Sequence, residues 1–189
     1  MKKFVHLRGT HGVGKTTTAR SLIERYGGEV VLFEIFGKEY PCTVLRQRNW
    51  AVTGRYDTRV CGGLDGVIKS KALMIQYIQT LLKHQYDVVV FEAVMYGMTE
   101  KFGLELNAFC RAKGYEYKGL LLMPPLETVI QNVRARNGGK PFNEQTLCDK
   151  YWQAGRAAQK LISDGVKVDV IDPSPYDKAD LYKIIERAL

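Results

Sequence analysis

The sequence predicts an α/β fold of three layers built on a parallel sheet, and three observations point to it. Short apolar runs alternate with amphipathic stretches along the chain, which is typical of strands alternating with helices around such a sheet. A glycine-rich segment directly follows the first apolar run, as in strand-loop-helix units. The 189 residues, 46% of them hydrophobic, suffice for one full core. We therefore expect a single domain over residues 1–189.

Five apolar runs are expected to form a five-stranded parallel sheet. Each run is short, rich in Val, Leu, Ile or aromatic residues, and bounded by Gly, Pro or a charged residue. The expected strands are residues 4–8, 29–35, 87–92, 115–123 and 166–171. Apolar residues three and four positions apart predict helices over residues 15–26, 67–85, 100–113, 126–136, 143–163 and 177–188. The segment 36–66 has no clean period, and we expect it to form short helices and a substrate-binding wall.

Composition limits the classes of function. The formal net charge is +8, and this excess favours a polyanionic partner such as nucleic acid or a phosphorylated substrate. No apolar run approaches the ~20 residues of a membrane span, and the first residues do not resemble a signal peptide, so we expect a cytoplasmic protein. The four cysteines lie far apart, which disfavours a zinc site or a redox pair. The sequence leaves the oligomeric state open.

Residues 9–16 match the complete nucleotide-binding pattern of two glycines five positions apart followed by Lys and Thr. Glycines in such a loop let successive backbone amides turn inward on phosphates, and the following helix adds its positive end. Lys15 would reach the outer phosphates of ATP, and the Thr16 hydroxyl would ligate Mg²⁺. The expected ATP-binding residues are Gly9, Thr10, His11, Gly12, Val13, Gly14, Lys15, Thr16 and Thr17.

Acidic residues near strand ends are the candidates for metal binding and proton transfer. Glu92 ends the run 87–92 and could hold a magnesium-bound water, or it could simply be the polar residue that closes a buried strand. Glu34 lies inside an apolar run, where a carboxylate is costly unless it serves catalysis, so it is a candidate base for an attacking hydroxyl. Asp57 and Asp65 compete with Glu34 for that role.

Three features resemble the nucleoside and nucleotide kinase branch of phosphate-loop proteins. They are the loop with its threonines at 16–18, the segment 120–129 followed by Arg134 and Arg136, and the final apolar run ending in residues 170–175. The resemblance implies a three-layer P-loop NTPase fold with a small lid at about 134–142. It also implies that Arg134 and Arg136 fold over the transferred phosphoryl group. From the residues alone, both arginines could equally be solvated cations at a helix end.

A narrower resemblance concerns the acceptor. Nucleoside kinases often carry a Glu-Arg pair after the third strand, whereas Ala93 follows Glu92 here. The segments 54–59 and 61–66 instead resemble bacteriophage phosphate-loop kinases that phosphorylate 5-hydroxymethyluracil within DNA. Membership of that group would place the protein in the host cytoplasm, with ATP, Mg²⁺ and DNA as its ligands.

The basic segment supports a DNA acceptor. Between residues 37 and 71 there are seven cations and three acids, and the aromatic residues there could stack on bases. The expected substrate-binding residues are Arg46, Arg48, Arg55, Tyr56, Asp57, Arg59 and Asp65. A deoxynucleoside monophosphate kinase, a polynucleotide end kinase and a small-molecule kinase remain alternatives, as does an ATPase switch that transfers no phosphoryl group.

Overall fold

The computed structural model describes residues 1–57, 63–64, 68 and 70–189, and it confirms the α/β fold. The strands are Lys2–Arg8 (β1), Gly28–Ile35 (β2), Lys38–Leu45 (β3), Trp50–Thr53 (β4), Val88–Glu92 (β5), Tyr115–Leu122 (β6) and Val168–Ile171 (β7). The α-helices are Lys15–Tyr26 (α1), Lys71–Lys83 (α2), Glu100–Ala112 (α3), Leu126–Arg136 (α4), Glu144–Ser163 (α5) and Tyr182–Glu186 (α6). In this part of the chain, no helix has the length and apolar character needed to cross a bilayer.

The described strands form one mixed sheet in the order β2-β3-β4-β5-β1-β6-β7. The five neighbouring strands from β4 to β7 are parallel, whereas β2 and β3 pair antiparallel at one edge. The described sheet has seven strands, so the predicted count of five is too low, and its five parallel strands are not the five that the sequence predicts. The predicted strand 29–35 exists as β2 but lies outside the parallel set, and β4 takes its place.

The hairpin between β2 and β3 explains the error. Phe36 and Gly37 form its two-residue turn, and both have positive φ, 51° and 71°, as a type I′ turn requires. The chain thus reverses where the sequence analysis expected an irregular segment. That expectation is wrong over residues 38–53, which form β3, a short turn and β4.

Helices cover both faces of the sheet and bury its side chains. On one face, Val5 and Leu7 of β1 belong to the same fully buried core as Leu22 of α1. On the other face, Phe4 belongs to a core with Ile78 of α2. Burying a side chain of this size contributes about 1.5–3 kcal/mol, so these two cores hold the strands in place and fix where their ends lie.

The carboxyl ends of the parallel strands gather the loops that matter for function. The loop 9–14 follows β1, residues 54–57 follow β4, and residue 92 ends β5. Ligands of open α/β sheets bind at this edge, because the loops there converge while the helices cover the faces. The candidate site lies at this edge.

Candidate active site

The phosphate loop connects β1 to α1 and has a conformation that only glycine tolerates at Gly12. The φ of Gly12 is 78°, and a Cβ atom there would lie 2.8 Å from the Cγ2 atom of Val133 and 2.9 Å from the carbonyl oxygen of Val129. No side chain caps the amino end of α1. The positive end of the α1 dipole acts at this loop and favours an anion there.

Lys15 extends back into this loop. Its side chain is buried, and its Nζ atom donates hydrogen bonds to the carbonyl oxygens of Gly9 at 2.8 Å and Thr10 at 2.7 Å. The ammonium group is thereby held beside the amides that would surround phosphates. The phosphate contact that the motif predicts for Lys15 stays a prediction.

Glu92 brings three parts of the chain together. Its carboxylate is almost fully buried, at 2% exposure, so it needs hydrogen-bond donors. Thr16 of the phosphate loop donates to Oε1 at 2.5 Å, and Tyr56, which follows β4, donates to Oε2 at 2.7 Å. The backbone amide of Glu92 donates to Thr53 at 3.3 Å. The carboxylate thus links the phosphate loop to the segment that follows β4.

Gly63 lies directly against this carboxylate. A Cβ atom at position 63 would be 3.2 Å from the carbonyl oxygen of Glu92 and 3.4 Å from its Cδ atom. The absence of a side chain therefore allows the backbone at Gly63 to approach Glu92 closely. Of the candidates in that segment, Arg59 and Asp65 lie outside the described residues.

A cavity of about 470 Å³ opens above the loop. Predicted residues that line it are His11, Gly12, Val13, Gly14, Lys15, Thr16, Thr17, Glu92 and Arg136. Sequence reasoning missed Arg20, Asn132, Tyr176 and Lys178, which also line it. One signal was present for Arg20, since it lies four residues after Thr16 and thus on the same face of α1. Tyr176 and Lys178 carry no comparable signal of their own, although the preceding run ending in residues 170–175 is one of the features that resemble nucleotide kinases.

His11 is a neutral imidazole between cations. Burial is the main cause that lowers its pKa, and the charges of Lys15, Arg136 and Lys150 lower it further, to about 4. Near pH 7 the ring therefore carries no charge. It adds a hydrogen-bonding group to the loop without adding to the positive charge already there.

The two arginines expected in the lid occupy different positions. Arg136 lines the cavity, whereas Arg134 donates to the carboxylate of Glu144 at 2.6 Å on the exposed surface. The expectation for Arg134 is therefore corrected, because its guanidinium is engaged outside the cavity. The predicted lid region consists of the end of α4 and a short connection to α5.

Arg46 and Arg48 lie at the wrong edge of the sheet for the role predicted for them. Both are in the turn before β4, whose first residue pairs with Val88 at the start of β5, so this turn is at the edge opposite the phosphate loop. Arg46 forms an ion pair with Glu29 at 3.3 Å. Arg48 stacks on Tyr26, 5.0 Å from the ring centroid. Both substrate-binding assignments are corrected on this ground.

Glu34 is also misplaced for its predicted role as the base. It lies on the edge strand β2, four strands from β1, and this spacing amounts to about 19 Å. Its side chain is exposed. The premise that a buried strand forced its carboxylate toward catalysis is wrong, because β2 has an open edge and an exposed face.

Arg55 and Asp57 follow β4 at the carboxyl edge, beside Tyr56. Asp57 accepts two hydrogen bonds from Arg55, at 2.7 Å and 2.9 Å, and this pairing lowers the pKa of its carboxyl group. Both side chains are about half exposed. Asp57 is thus an ionised carboxylate close in sequence to a residue that contacts Glu92.

Comparison with known proteins decides the family. No family model matches the chain. The 5-hmdU DNA kinase of Pseudomonas phage M6 is 30% identical over 177 residues, which cover 88% of this chain and 89% of that protein. The chain belongs to the 5-hmdU DNA kinase family. The 5-hmdU DNA kinase of Pseudomonas phage PaMx11 is 26% identical over 175 residues, which cover 88% of this chain and 89% of that protein. This 5-hmdU DNA kinase family protein is accordingly a kinase, which confirms the predicted phosphotransferase class.

Solved structures confirm the fold of this kinase. The tunicamycin resistance protein of Deinococcus radiodurans superimposes with a TM-score of 0.58 at 16% identity, covering 99% of this chain and 95% of that one. Shikimate kinase from Acinetobacter baumannii superimposes with a TM-score of 0.50 at 14% identity. The superposition covers 99% of this chain and 92% of the shikimate kinase chain. At this identity the similarity concerns the fold alone, and it agrees with the predicted P-loop kinase fold.

Proposed function

We propose that this member of the 5-hmdU DNA kinase family transfers the γ-phosphoryl group of ATP to the hydroxymethyl group of 5-hydroxymethyluracil in DNA. The observation that carries the proposal is the carboxylate of Glu92, which accepts from Thr16 of the phosphate loop and from Tyr56 after β4. The phosphate-binding side and the expected acceptor side therefore meet at one group. The names of the relatives supply the acceptor.

The triphosphate would lie in the larger cavity. Backbone amides of the loop and of the first turn of α1 surround its phosphates, and Lys15 and Arg136 neutralise their charge. The end of the cavity lined by Tyr176 and Lys178 leaves space for the nucleoside part. Little covalent chemistry falls to the protein in such a transfer, so catalysis comes from positioning and charge neutralisation.

The oxygen atoms of Thr16 and Glu92 fit Mg²⁺. They lie 2.5 Å apart, and Mg²⁺ is commonly bound by one or two carboxylates together with substrate phosphates and water. The described residues contain no cluster of three or more His, Cys, Asp or Glu side chains for a metal, so phosphate oxygens would have to complete the coordination. When bound, the ion would neutralise charge on the phosphates.

The transfer needs a destination for one proton. The hydroxymethyl oxygen forms a bond to the γ-phosphorus, the bond between that phosphorus and the bridging oxygen of ADP breaks, and the hydroxyl proton passes to a carboxylate. We assign that carboxylate to Asp57, since it follows β4 next to Tyr56 while Glu34 lies on the far hairpin. The phosphorylated base and ADP are then released.

Replacing Asp57 with Asn is expected to lower kcat about 100-fold, because an amide cannot accept the proton. The Kd for nucleotide should stay within about twofold, since no contact with the phosphate loop is lost. Asp169→Asn is the matched control, because Asp169 of β7 is also about half exposed and is paired with a cation, Lys118 of β6. Equal kcat values for the two variants would remove Asp57 from the mechanism.

Arg136 and Arg134 offer a comparison within one helix. Arg136→Gln should lower kcat by about 100-fold or more, because it removes a cation from the cavity where charge develops. Arg134→Gln loses only a surface ion pair with Glu144 and should stay within about twofold of the parent rate. Steady-state kinetics at saturating ATP measure both variants. If the loss fell on Arg134→Gln instead, the lid assignment would be reversed.

The acceptor is tested with ATP labelled on its γ-phosphate. Three acceptors are offered: DNA containing 5-hydroxymethyluracil, unmodified DNA with free 5′ ends, and each deoxynucleoside monophosphate. The proposal expects label only on the modified DNA. Label on a monophosphate or on a DNA end would replace the proposed acceptor, and rapid phosphate release without any acceptor would indicate a hydrolytic switch.

A further inference from the structure

A second cavity, of about 210 Å³, lies against the phosphate loop on the side of α4 and α5. It shares His11 and Arg136 with the larger cavity, whereas Lys150 and Thr146 of α5 line only the smaller one. We propose that this second cavity binds a backbone phosphate of the acceptor DNA strand next to the target base. The inference rests on the proposed function, because it assigns a binding position to the backbone of the DNA strand that the proposed function names as the acceptor.

The cavity is positively charged. Arg136 and Lys150 line it, and none of the described residues in its wall is acidic. The nearest acids along α5 have other partners, since Glu144 accepts from Arg134 at 2.6 Å and Asp149 accepts from Gln145 at 2.9 Å. A pair of cations facing a concave wall without a carboxylate attracts an anion.

The neighbouring histidine supports this description. Both Arg136 and Lys150 contribute to the lowered pKa of His11, so their positive charge acts at the boundary between the two cavities. The imidazole is uncharged near pH 7 and can donate or accept a hydrogen bond there. An anion in the smaller cavity would therefore meet two cations and a neutral polar ring.

The position favours the acceptor over ATP as the source of the phosphate. The loop amides and Lys15 already supply the contacts proposed for the triphosphate in the larger cavity. Lys150 does not line the larger cavity. The 5-substituent of a pyrimidine nucleotide in its usual anti conformation points to the same side as its 5′ phosphate. A strand whose hydroxymethyl group reaches the terminal phosphoryl group thus carries a backbone phosphate nearby.

The positions of the other cations also favour the second cavity as the site of the DNA phosphate. The sequence predicts DNA contacts for Arg46 and Arg48, but both lie at the edge of the sheet opposite the phosphate loop. Arg55 is at the correct edge, but it is paired with Asp57. Among the described residues, Arg136 and Lys150 therefore provide positive charge beside the phosphate loop in the wall of the second cavity.

The test measures binding of an oligonucleotide with one 5-hydroxymethyluracil, and separately of a non-hydrolysable ATP analogue, over a range of salt concentrations. Lys150→Gln should weaken DNA binding about tenfold and reduce the salt slope by about 0.7–0.9, as expected for one lost phosphate contact. Lys150→Arg keeps the charge and should restore the affinity. Affinity for the ATP analogue should not distinguish Lys150→Gln from the parent protein.

Lys160→Gln is the matched control. Lys160 lies on the same helix, about 15 Å from Lys150 along its axis, and pairs with Asp164 at 2.7 Å, so the charge change is equal but remote from the cavity. Equal DNA affinities for the two glutamine variants would overturn the proposal, as would a loss confined to the ATP analogue or failure of the parent protein to bind DNA. If DNA affinity fell as expected but no label passed to the modified base, the phosphate site would stand and the proposed function would fall.

Discussion

Replacing Lys15 with Ala is expected to abolish phosphoryl transfer, with kcat reduced by at least about 1000-fold. The Lys15 ammonium lies inside the phosphate loop, 2.8 Å from the carbonyl oxygen of Gly9 and 2.7 Å from that of Thr10. A triphosphate in the cavity would exchange these carbonyl contacts for phosphate oxygens, and among the described residues that line the cavity Lys15 is the only buried cation. Transfer of label from ATP to modified DNA measures the loss.

The fold should survive this substitution. The side chain ends at the open cavity, so water can reach the Gly9 and Thr10 carbonyl groups once the ammonium is gone. Lys15→Met keeps most of the aliphatic stem and separates the effect of charge from that of packing. Lys113→Met, at an exposed position after α3, controls for the change in net charge and should keep full activity. Full activity in Lys15→Ala would refute the phosphate-loop assignment.

The features of the site that depend on local sequence were predictable. The phosphate loop follows a short apolar strand and starts an amphipathic helix, so its residues fix both its conformation and its place at the sheet edge. Glu92 was equally accessible to prediction, because four apolar residues precede it on a strand with both faces buried. In these cases the neighbours along the chain determine the environment.

The order of the strands was not predictable in the same way. Periodicity identifies residues 29–35 as a strand, but it does not tell whether that strand lies in the parallel set or in an antiparallel hairpin at the edge. The turn at Phe36 and Gly37 decides this, and its only signal is one glycine. The interpretation of Glu34 depended on this strand being buried, whereas those of Arg46 and Arg48 depended on an irregular segment after it, and the hairpin contradicts both premises.

The second result with a large expected effect concerns Glu92. Glu92→Gln should lower kcat about 100-fold or more, because the amide cannot supply a charged oxygen for Mg²⁺ beside Thr16. One of its two positions becomes a donor, so the hydrogen bonds that Thr16 and Tyr56 donate to the carboxylate cannot both persist. A hydrogen bond to a charged group contributes about 1.5–3 kcal/mol, so its loss should lower the Tm in thermal denaturation.

Glu34→Gln is the matched control, since it makes the same chemical change on the exposed edge strand β2. It should leave both kcat and Tm close to those of the parent protein, because Glu34 contacts neither the phosphate loop nor the segment after β4 in the described structure. Kinetics over a range of Mg²⁺ concentrations separate the two carboxylates further, since only Glu92→Gln should raise the concentration needed for half-maximal rate. If Glu34→Gln lowered kcat strongly while Glu92→Gln kept the parent value, the catalytic carboxylate would lie on the hairpin. In that case β2 would have to approach the cavity when DNA binds.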